Sequence, residues 1–203
     1  MLLMVNIKIS HKVEHNYLLK YIEKFRNDYK GINIKIVNDS TTVLVNSLIH
    51  HQIDFIIDSY PIEISSKELL IKKLEDFDTI FIVGNAYKEK INSIYDLKGE
   101  NFILPLPRSS VRKNLEKKLS EYNIDLKVGL SVDTTDLIIS SVKRNLGIGY
   151  VVKEAVKQEI KDKTIKELKL DCDLPKLELN LVYIKDYLSY PAKEFLKKYI
   201  KAI

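Results

Sequence analysis

Apolar and polar residues follow two periods along the chain, one typical of strands and one typical of helices. Three short, mostly apolar runs are predicted strands: Val5 to Ile9, Asn33 to Val37 and Asp54 to Ile57. Two helices separate them, one with Leu18 to Tyr29 on its apolar face and one with Leu44 to Ile49. Each connection is long enough for the strands to pair in parallel. The first part of the chain therefore predicts strand, helix, strand, helix, strand.

The clearest single stretch is DTTDLIISSVKRNLGIGYVV, residues 133–152. Thr134 and the preceding aspartate can accept hydrogen bonds from the free amides of a first helical turn. Gly147 is predicted to end the helix, and Gly149 to keep the next strand close to a neighbour. Residues 148–152 have no polar face, which is typical of a strand covered by helices on both sides. A capped helix N-terminus beside a parallel strand commonly presents amide donors to a small anion.

The alternation of strand and helix repeats in the second half of the chain. After Gly84 a polar, lysine-rich segment leads to a predicted strand, helix and strand: Phe102 to Leu104, Val111 to Tyr122 and Leu126 to Val132. Residues 133–152 follow, then strands around 165–170 and 177–184, and a last helix from Pro191 to Ile203.

The economical interpretation is two similar α/β lobes joined near residue 84. Lobe I comprises residues 1–84 and 187–203, because the last helix can return to the first lobe, and lobe II comprises residues 85–186. The chain then crosses twice between the lobes, and the two crossings form a hinge.

Composition is that of an ordinary globular protein, with 45% hydrophobic and 30% charged residues among 203. The net charge of +5 is spread along the helices, so we interpret it as solvated faces rather than a nucleic-acid surface. The single cysteine, Cys172, excludes an internal disulfide framework and has no CxxC partner. No run approaches the ~20 apolar residues of a membrane span, and residues 1–10 are too short for a secretory leader. We expect a cytoplasmic protein without a membrane partner.

Three pieces of the chain carry a family resemblance: FRNDYKGINIKI, SLIHHQIDFII, and LKGENFILPLPRSSVR with DTTDLIISSVKRNLGIGYVV. In order and spacing they resemble the effector-binding domain of the LysR-type transcriptional regulators. Lys30 and Gly31 replace the proline that is usual in the first element, and the second, at His51 to Asp54, lacks its usual glycine. The family's val-x-x-gly-x-gly-ile element is matched by these residues: Val142, Asn145, Gly147, Ile148 and Gly149.

The resemblance covers nearly all of the chain and implies an α/β, periplasmic-binding-protein-like fold of type 2, with a ligand cleft between two lobes. It also implies a sensor that is not an enzyme, needs no cofactor, and binds a small-molecule effector. Such a sensor acts on promoter DNA as a homodimer or tetramer. The winged helix-turn-helix that normally precedes the domain is absent here, so we expect either an excised piece or a stand-alone sensor. Two domains would pair head to tail through the first helix and the Asp133 to Asn145 helix. These helices carry more large apolar side chains than one buried face needs, namely Tyr17, Tyr21 and Ile138.

Loops at the carboxyl ends of parallel strands, and the helix N-termini that follow them, build the cleft of such a fold. Amides and hydroxyls that converge there suit a carboxylate or a similar anion, and Lys12 or Arg108 could add a charge-assisted bond. We therefore expect an anionic ligand. The predicted ligand-binding residues are Ser10, His11, Lys12, Ser40, Thr41, Asp58, Ser59, Pro107, Arg108, Ser109, Ser110 and Thr134.

A purely structural interpretation stands beside each of these residues. The serines and threonines can be helix caps and nothing more, which is their usual role before a helix. The histidines are commonly solvated loop residues. His50 and His51 cannot both face one metal, because neighbours on a helix diverge by about 100°. No metal site is predicted.

Two rival functions use the same fold. A solute-binding protein that feeds a transporter would need a secretory signal, which residues 1–10 lack. An enzyme would need a nucleophile beside a base or paired carboxylates, whereas the predicted loops offer serines without a convincing histidine and aspartate pair. Asp58, the chief acid of these loops, has no obvious partner in the sequence. We therefore favour the effector-sensing domain of a LysR-type regulator, with no catalytic residues.

Overall fold

A computed structural model of the protein describes residues 3–8, 12–37, 39, 41–59, 68–88 and 90–203. The strands are β1 (Leu3–Lys8), β2 (Ile32–Val37), β3 (Phe55–Ser59), β4 (Leu70–Phe77), β5 (Thr79–Gly84), β6 (Asn101–Pro105), β7 (Lys127–Val132), β8 (Ile148–Val152), β9 (Ile165–Leu168) and β10 (Leu177–Tyr183). The helices are α1 (Lys12–Asp28), α2 (Thr41–Ile49), α3 (Ser110–Ser120), α4 (Thr135–Lys143), α5 (Lys157–Lys161) and α6 (Tyr190–Phe195). Residues Leu196–Ile200 continue α6 as a wider helical turn.

The chain divides into two compact units, each built on its own five-stranded sheet. Unit 1 comprises Met1–Asp76 and Glu178–Ile203, and unit 2 comprises Phe77–Leu177. Both crossings therefore lie earlier in the chain than the predicted positions after residues 84 and 186. Strand pairing is the reason: β5 bonds to β8 and β9 and so belongs to unit 2, whereas β10 bonds to β3 and belongs to unit 1.

Unit 1 has the strand order β2-β1-β3-β10-β4, in which β1 is parallel to β2 and β3, and β10 is antiparallel to β3. Successive side chains of a strand point to opposite faces, so Phe55 and Ile56 pack against different helices. Phe55 stacks on Phe195 with ring centroids 6.0 Å apart, and Phe25 of α1 meets Phe195 edge-on at 5.2 Å. Ile56 packs with Leu44 of α2. Helices cover both faces, which explains why every residue of β3 is buried.

Unit 2 has the strand order β7-β6-β8-β5-β9, in which β6 is parallel to β7 and β8, and β5 is antiparallel to β8 and β9. Ile138 and Val142 of α4 pack with Ile103 of β6. Phe81 and Tyr150 contact each other with ring centroids 4.9 Å apart. The strands β5 and β8 are buried throughout, and for β8 this agrees with the prediction from its lack of a polar face.

A buried chain of hydrogen bonds ties the start of β5 to the segment before β10. The Tyr150 hydroxyl and the Pro175 carbonyl oxygen each lie 2.5 Å from Thr79 Oγ1. Because a carbonyl oxygen only accepts, Thr79 donates to Pro175 and accepts from Tyr150. Burial raises the pKa of Tyr150, so its hydroxyl stays protonated and able to donate at neutral pH.

Two element boundaries differ from the predicted ones. Helix α1 begins at Lys12, before the predicted apolar face, which starts at Leu18. A helix that is anchored by its packed face gains one backbone hydrogen bond for each residue it adds, so it can extend beyond its apolar stripe. Strand β3 runs through Asp58 and Ser59, which the sequence places after the strand, because they pair with Asn180 and Leu179 of β10.

Asn145, rather than Gly147, turns the chain at the end of α4. Its φ of 57° is the left-handed conformation, which asparagine adopts more readily than most residues. Gly147 is required for a different reason, because a Cβ there would lie 2.5 Å from the Asn101 carbonyl oxygen. The predicted role of Gly149 is confirmed, since a Cβ at this position would lie 2.7 Å from Val142 Cγ2.

Gly149→Ala is expected to lower the free energy of unfolding by about 1–3 kcal/mol, because the new methyl would overlap buried side chains of α4. A Cβ at this position would lie 2.7 Å from Val142 Cγ2 and 2.8 Å from Ile138 Cγ2. Gly31→Ala is the matched control, because nothing lies within 4 Å of a Cβ there. Urea denaturation followed by circular dichroism measures both, and equal stability of the two variants would contradict the close packing of α4 on β8.

Candidate ligand-binding site

The carboxyl ends of the parallel strands lie at one edge of each sheet, formed by β1, β2 and β3 in unit 1 and by β6, β7 and β8 in unit 2. The described site residues lie at the ends of these strands or in the segments that follow them. Ser10, His11 and Ser40 lie outside the described residues. Lys12 is the first residue of α1. The two edges belong to different units.

In unit 1, the structure brings three of the predicted residues together. Thr41, the first residue of α2, donates a hydrogen bond from Oγ1 to Asp58 Oδ2 at 2.8 Å. The Ser59 backbone N–H donates to Asp58 Oδ1, also at 2.8 Å. Asp58 and Ser59 are only 3% and 2% exposed. Asp58 is thus a buried acceptor that positions its neighbours, and the Thr41 hydroxyl, its proton already engaged, can offer a ligand only an acceptor lone pair.

In unit 2, four predicted residues follow β6 and lead into the first turn of α3. Pro107 and Arg108 are exposed at its tip. The Ser109 N–H closes the turn by donating to the Leu106 carbonyl at 2.9 Å. Ser110 is the first residue of α3. These residues therefore hold the start of α3 at the carboxyl end of β6, as predicted.

Ser109 occupies the N-cap position of α3 but does not cap the helix. Its side chain makes no hydrogen bond to the amides of the first turn. Its Oγ is buried and has no hydrogen-bond partner among the residues that the structure describes. A buried hydroxyl without a partner is unusual, since such a group loses its hydration without compensation. The Ser109 hydroxyl can therefore donate a hydrogen bond to an anion at the N-terminus of α3, which its side chain does not cap.

Arg112 organises this edge and was missed by sequence reasoning. Its Nη1 donates to the Pro105 carbonyl at 3.2 Å and to Ser131 Oγ at 3.0 Å, and its Nε forms a 2.6 Å ion pair with Glu116. Only 12% of the side chain is exposed. The guanidinium therefore links the ends of β6 and β7 to α3. In the sequence, the only available signal was the Arg112 and Glu116 pair at helical spacing, which is typical of a solvated face.

Thr134 has the structural role that the sequence allowed for it. It is the N-cap of α4, and its Oγ1 accepts a hydrogen bond from the Leu137 N–H at 3.3 Å. The Leu106 N–H donates to the Val132 carbonyl at 2.9 Å, so the segments that follow β6 and β7 are adjacent. The hydroxyl proton of Thr134 remains available to a ligand, because capping uses only a lone pair.

His50, His51 and Cys172 have ordinary surroundings. His51 stacks on Tyr187 with ring centroids 3.8 Å apart, and His50 Nδ1 lies 2.8 Å from the Asn46 carbonyl oxygen. The pKa of the Cys172 thiol is raised, first by burial and then by the charge of Asp171. The raised pKa disfavours the reactive thiolate. Within the described ranges, no group of three or more metal-binding side chains is found. Over the same residues, no helix combines the length and apolarity that a membrane crossing needs.

Comparison with known proteins agrees with this architecture. Residues 4–201 match the family model of the LysR substrate binding domain. A probable RuBisCO transcriptional regulator of Phaeodactylum tricornutum is 26% identical over 188 residues, which are 88% of this chain and 60% of that protein. The chain spans about half the length of the curated relatives it matches, between 47% and 60%.

Two solved structures have closely similar folds. The effector-binding domain of QuiR in complex with shikimate gives a TM-score of 0.79 at 16% identity, over 99% of this chain and 96% of that one. The regulatory domain of Synechocystis PCC6803 CcmR in complex with 2-PG gives a TM-score of 0.81 at 16% identity, over 98% of this chain and 95% of that one. At such low identity these neighbours establish the fold alone.

The predicted α/β, type 2 periplasmic-binding-protein-like fold is thereby confirmed. Domains of the matched family are non-enzymatic parts of transcriptional regulators, in agreement with the names of the relatives. The family model spans nearly the whole chain, both sheets included. The chain belongs to the family of LysR substrate-binding domains.

Proposed function

We propose that the chain senses a small anionic metabolite at the carboxyl edges of its sheets and relays its presence to promoter DNA. The observation that carries this proposal is the Ser109 hydroxyl, which is buried and without a described partner at the N-terminus of α3 and does not cap that helix. Uncapped helix N-termini carry a partial positive charge and attract anions. The exposed Arg108, in the same connection, adds a cation that can approach the ligand.

Relatives of the same fold support a small effector. The QuiR domain holds shikimate, which is a carboxylate at neutral pH, and the CcmR domain holds 2-PG. Ser10, His11, Lys12, Ser40 and Thr41 remain proposed contacts. Asp58 already accepts hydrogen bonds from the Thr41 hydroxyl and the Ser59 backbone N–H. We therefore propose that unit 2 supplies the stronger donors for the ligand's negative group.

The relay to DNA requires residues beyond this sequence. The curated relatives are named transcriptional regulators and are longer than the chain. We therefore propose that a DNA-binding domain, attached to the chain in the longer protein, contacts the promoter in the cytoplasm. The effector would change the geometry of the oligomer through its different affinity for two conformations.

Exposed apolar side chains support an oligomer. In unit 1, Leu19 of α1 and Ile36 of β2 are 51% and 44% exposed. In unit 2, Leu130 of β7 and Leu137 of α4 are 38% and 48% exposed. We propose that the first face contacts the second face of a partner copy, so that a homodimer carries two such contacts. Of the three residues that suggested pairing in the sequence, Tyr17 and Ile138 are 9% and 1% exposed and are part of the core of their own units, and Tyr21 is half-buried.

Ser109→Ala is expected to weaken effector binding about tenfold, because one hydrogen bond to a charged group is lost. The unliganded variant should be as stable as the wild type, or more so, because the removed hydroxyl has no described partner. Thr134→Ala is the matched control: it should lower the free energy of unfolding by about 1 kcal/mol through the lost cap. A thermal-shift panel of small carboxylates that includes shikimate, followed by calorimetric titration of the hits, measures both effects.

Two results would contradict the anionic-effector proposal. One is unchanged affinity of Ser109→Ala for a carboxylate that stabilises the wild type. The other is a panel in which cationic or neutral metabolites stabilise the chain and carboxylates do not.

Leu19→Glu and Leu137→Glu are each expected to shift the chain from dimer to monomer, because a carboxylate would be buried in an apolar contact. Leu70→Glu is the control, since Leu70 is 40% exposed on the edge strand β4, outside both faces. Sedimentation velocity at micromolar concentration measures the shift. A monomeric wild type, or dimers that survive both substitutions, would refute this contact.

A further inference from the structure

A cavity of about 350 Å³ lies in unit 1, and none of its lining residues is among those predicted to bind the effector. It is formed by one flank of α1 and the helical segment that follows α6. Its lining residues are Tyr21, Lys24, Lys198, Tyr199, Ile200 and Lys201. The volume is within the range of small-molecule pockets. The lining holds three ammonium groups and two phenols, and no carboxylate.

Asp28 holds the two helical segments together beside this cavity. Tyr21, Lys24 and Asp28 lie on one flank of α1, because they are three and four residues apart. The Asp28 carboxylate accepts hydrogen bonds from the Tyr199 hydroxyl and from Lys198 Nζ, the latter at 3.4 Å. The bond from Tyr199, and then that from Lys198, lower the pKa of Asp28. The carboxylate is therefore ionised at neutral pH and positions both groups in advance of any ligand.

The cations of the cavity outnumber the acids beside it. Lys198 Nζ also lies 5.3 Å from the Tyr29 ring centroid and 5.4 Å from that of Tyr199, which further restricts its position. Neither Lys24 nor Lys201 forms an ion pair within 4.0 Å with any residue that the structure describes. Three ammonium groups thus line one cavity, and the nearby acids Asp28 and Glu194 lie on the side of Lys198, where Asp28 pairs with it and Glu194 accepts from Tyr29. Such a surplus attracts an anion, and a multivalent anion relieves more of the mutual repulsion than a single carboxylate does.

The backbone of residues 201 and 202 is ordered by the rest of unit 1. Lys201 adopts a φ of 56°, and the Ala202 N–H donates to the Leu196 carbonyl at 3.0 Å. Ala202 is 2% exposed, so the residue after Lys201 is anchored in the core. The Lys201 backbone is therefore fixed at the cavity rather than part of a free tail.

We propose that this cavity binds a small multivalent anion of the phosphate class, a phosphate ester or an oligophosphate. Ammonium groups bind phosphate as compact point charges. The Tyr21 hydroxyl adds a donor, and the Tyr21 ring and Ile200 suit an apolar group attached to the phosphate. The exposed Leu19 lies about 160° around α1 from Tyr21, so the dimer contact proposed above leaves the cavity open.

Calorimetric titration of inorganic tripolyphosphate into the full 203-residue chain tests this site. We expect binding that added KCl weakens, because salt screens exposed charges. Sulfate at matched ionic strength controls for general salt effects. Lys24→Gln and Lys201→Gln should each lower the affinity about threefold, and the double variant about tenfold. Lys72→Gln, an exposed lysine on β4 outside the cavity, should leave the affinity unchanged.

Ser109→Ala separates this site from the proposed effector site. Tripolyphosphate affinity that is unchanged in Ser109→Ala and reduced in the lysine variants supports a separate anion site. Loss of affinity in Ser109→Ala, or equal affinity of the wild type and the Lys24→Gln, Lys201→Gln double variant, would overturn it. A short DNA duplex that binds through these two lysines while tripolyphosphate does not would also overturn it, because the cavity would then belong to a nucleic-acid surface.

Discussion

Hydrogen-bond satisfaction at the carboxyl edges of the sheets is the constraint on which the rest of the structure depends. The last backbone groups of parallel strands and the first amides of the following helices lie at the same edge of a sheet. Hydrogen bonds within the sheet or the helix do not pair all of these groups. Unit 1 resolves this with Asp58, a buried carboxylate that accepts from the Thr41 hydroxyl and the Ser59 amide. Unit 2 uses Arg112, which donates to the carbonyl of Pro105 and to a neighbouring serine. The two edges thus have opposite chemistry, one built on an internal anion and the other on an internal cation.

This difference supports the proposal that unit 2 supplies the donors for an anionic ligand. An internal carboxylate consumes donors and repels a second anion, whereas an internal guanidinium leaves the donors of the edge available. Ser109 is the clearest case, because its hydroxyl is buried yet engages no described group. The proposed anion contact is therefore assigned to the edge of unit 2. The basic cavity of unit 1 is built differently, from helix side chains that lie away from the sheet edge.

The sequence predicts those features that depend on local pattern. The strand at Ile148 to Val152, the close approach at Gly149 and the helix before it follow from periodicity and glycine geometry, and the structure has all three. Most other elements also lie where the apolar period places them, because crossovers between parallel strands leave few alternative topologies. The resemblance to a known family rests on the same order of elements.

Features that depend on distant pairing could not be read from one sequence. The strand β5 is buried throughout and mostly apolar, so its pattern does not reveal which sheet it joins. Its pairing with β8 places it in unit 2, whereas the sequence placed it before a boundary near residue 84. Arg112 and Ser131 are 19 residues apart, and their contact depends on the register of β6 and β7. Ser109 and Thr134 look alike before their helices, yet only Thr134 caps its helix. That distinction depends on side-chain direction, which residue type does not determine.

The strand order of unit 1 affects how the polypeptide reaches its native state during synthesis. Unit 2 is one uninterrupted segment, so its sheet can close once residue 177 has emerged from the ribosome. The sheet of unit 1 is incomplete until β10 inserts between β3 and β4. Until then both flanking strands expose unpaired backbone edges, which are templates for aggregation. The nascent chain therefore carries an unfinished sheet while all of unit 2 is being synthesised. A chaperone that shields strand edges would benefit it most during that interval.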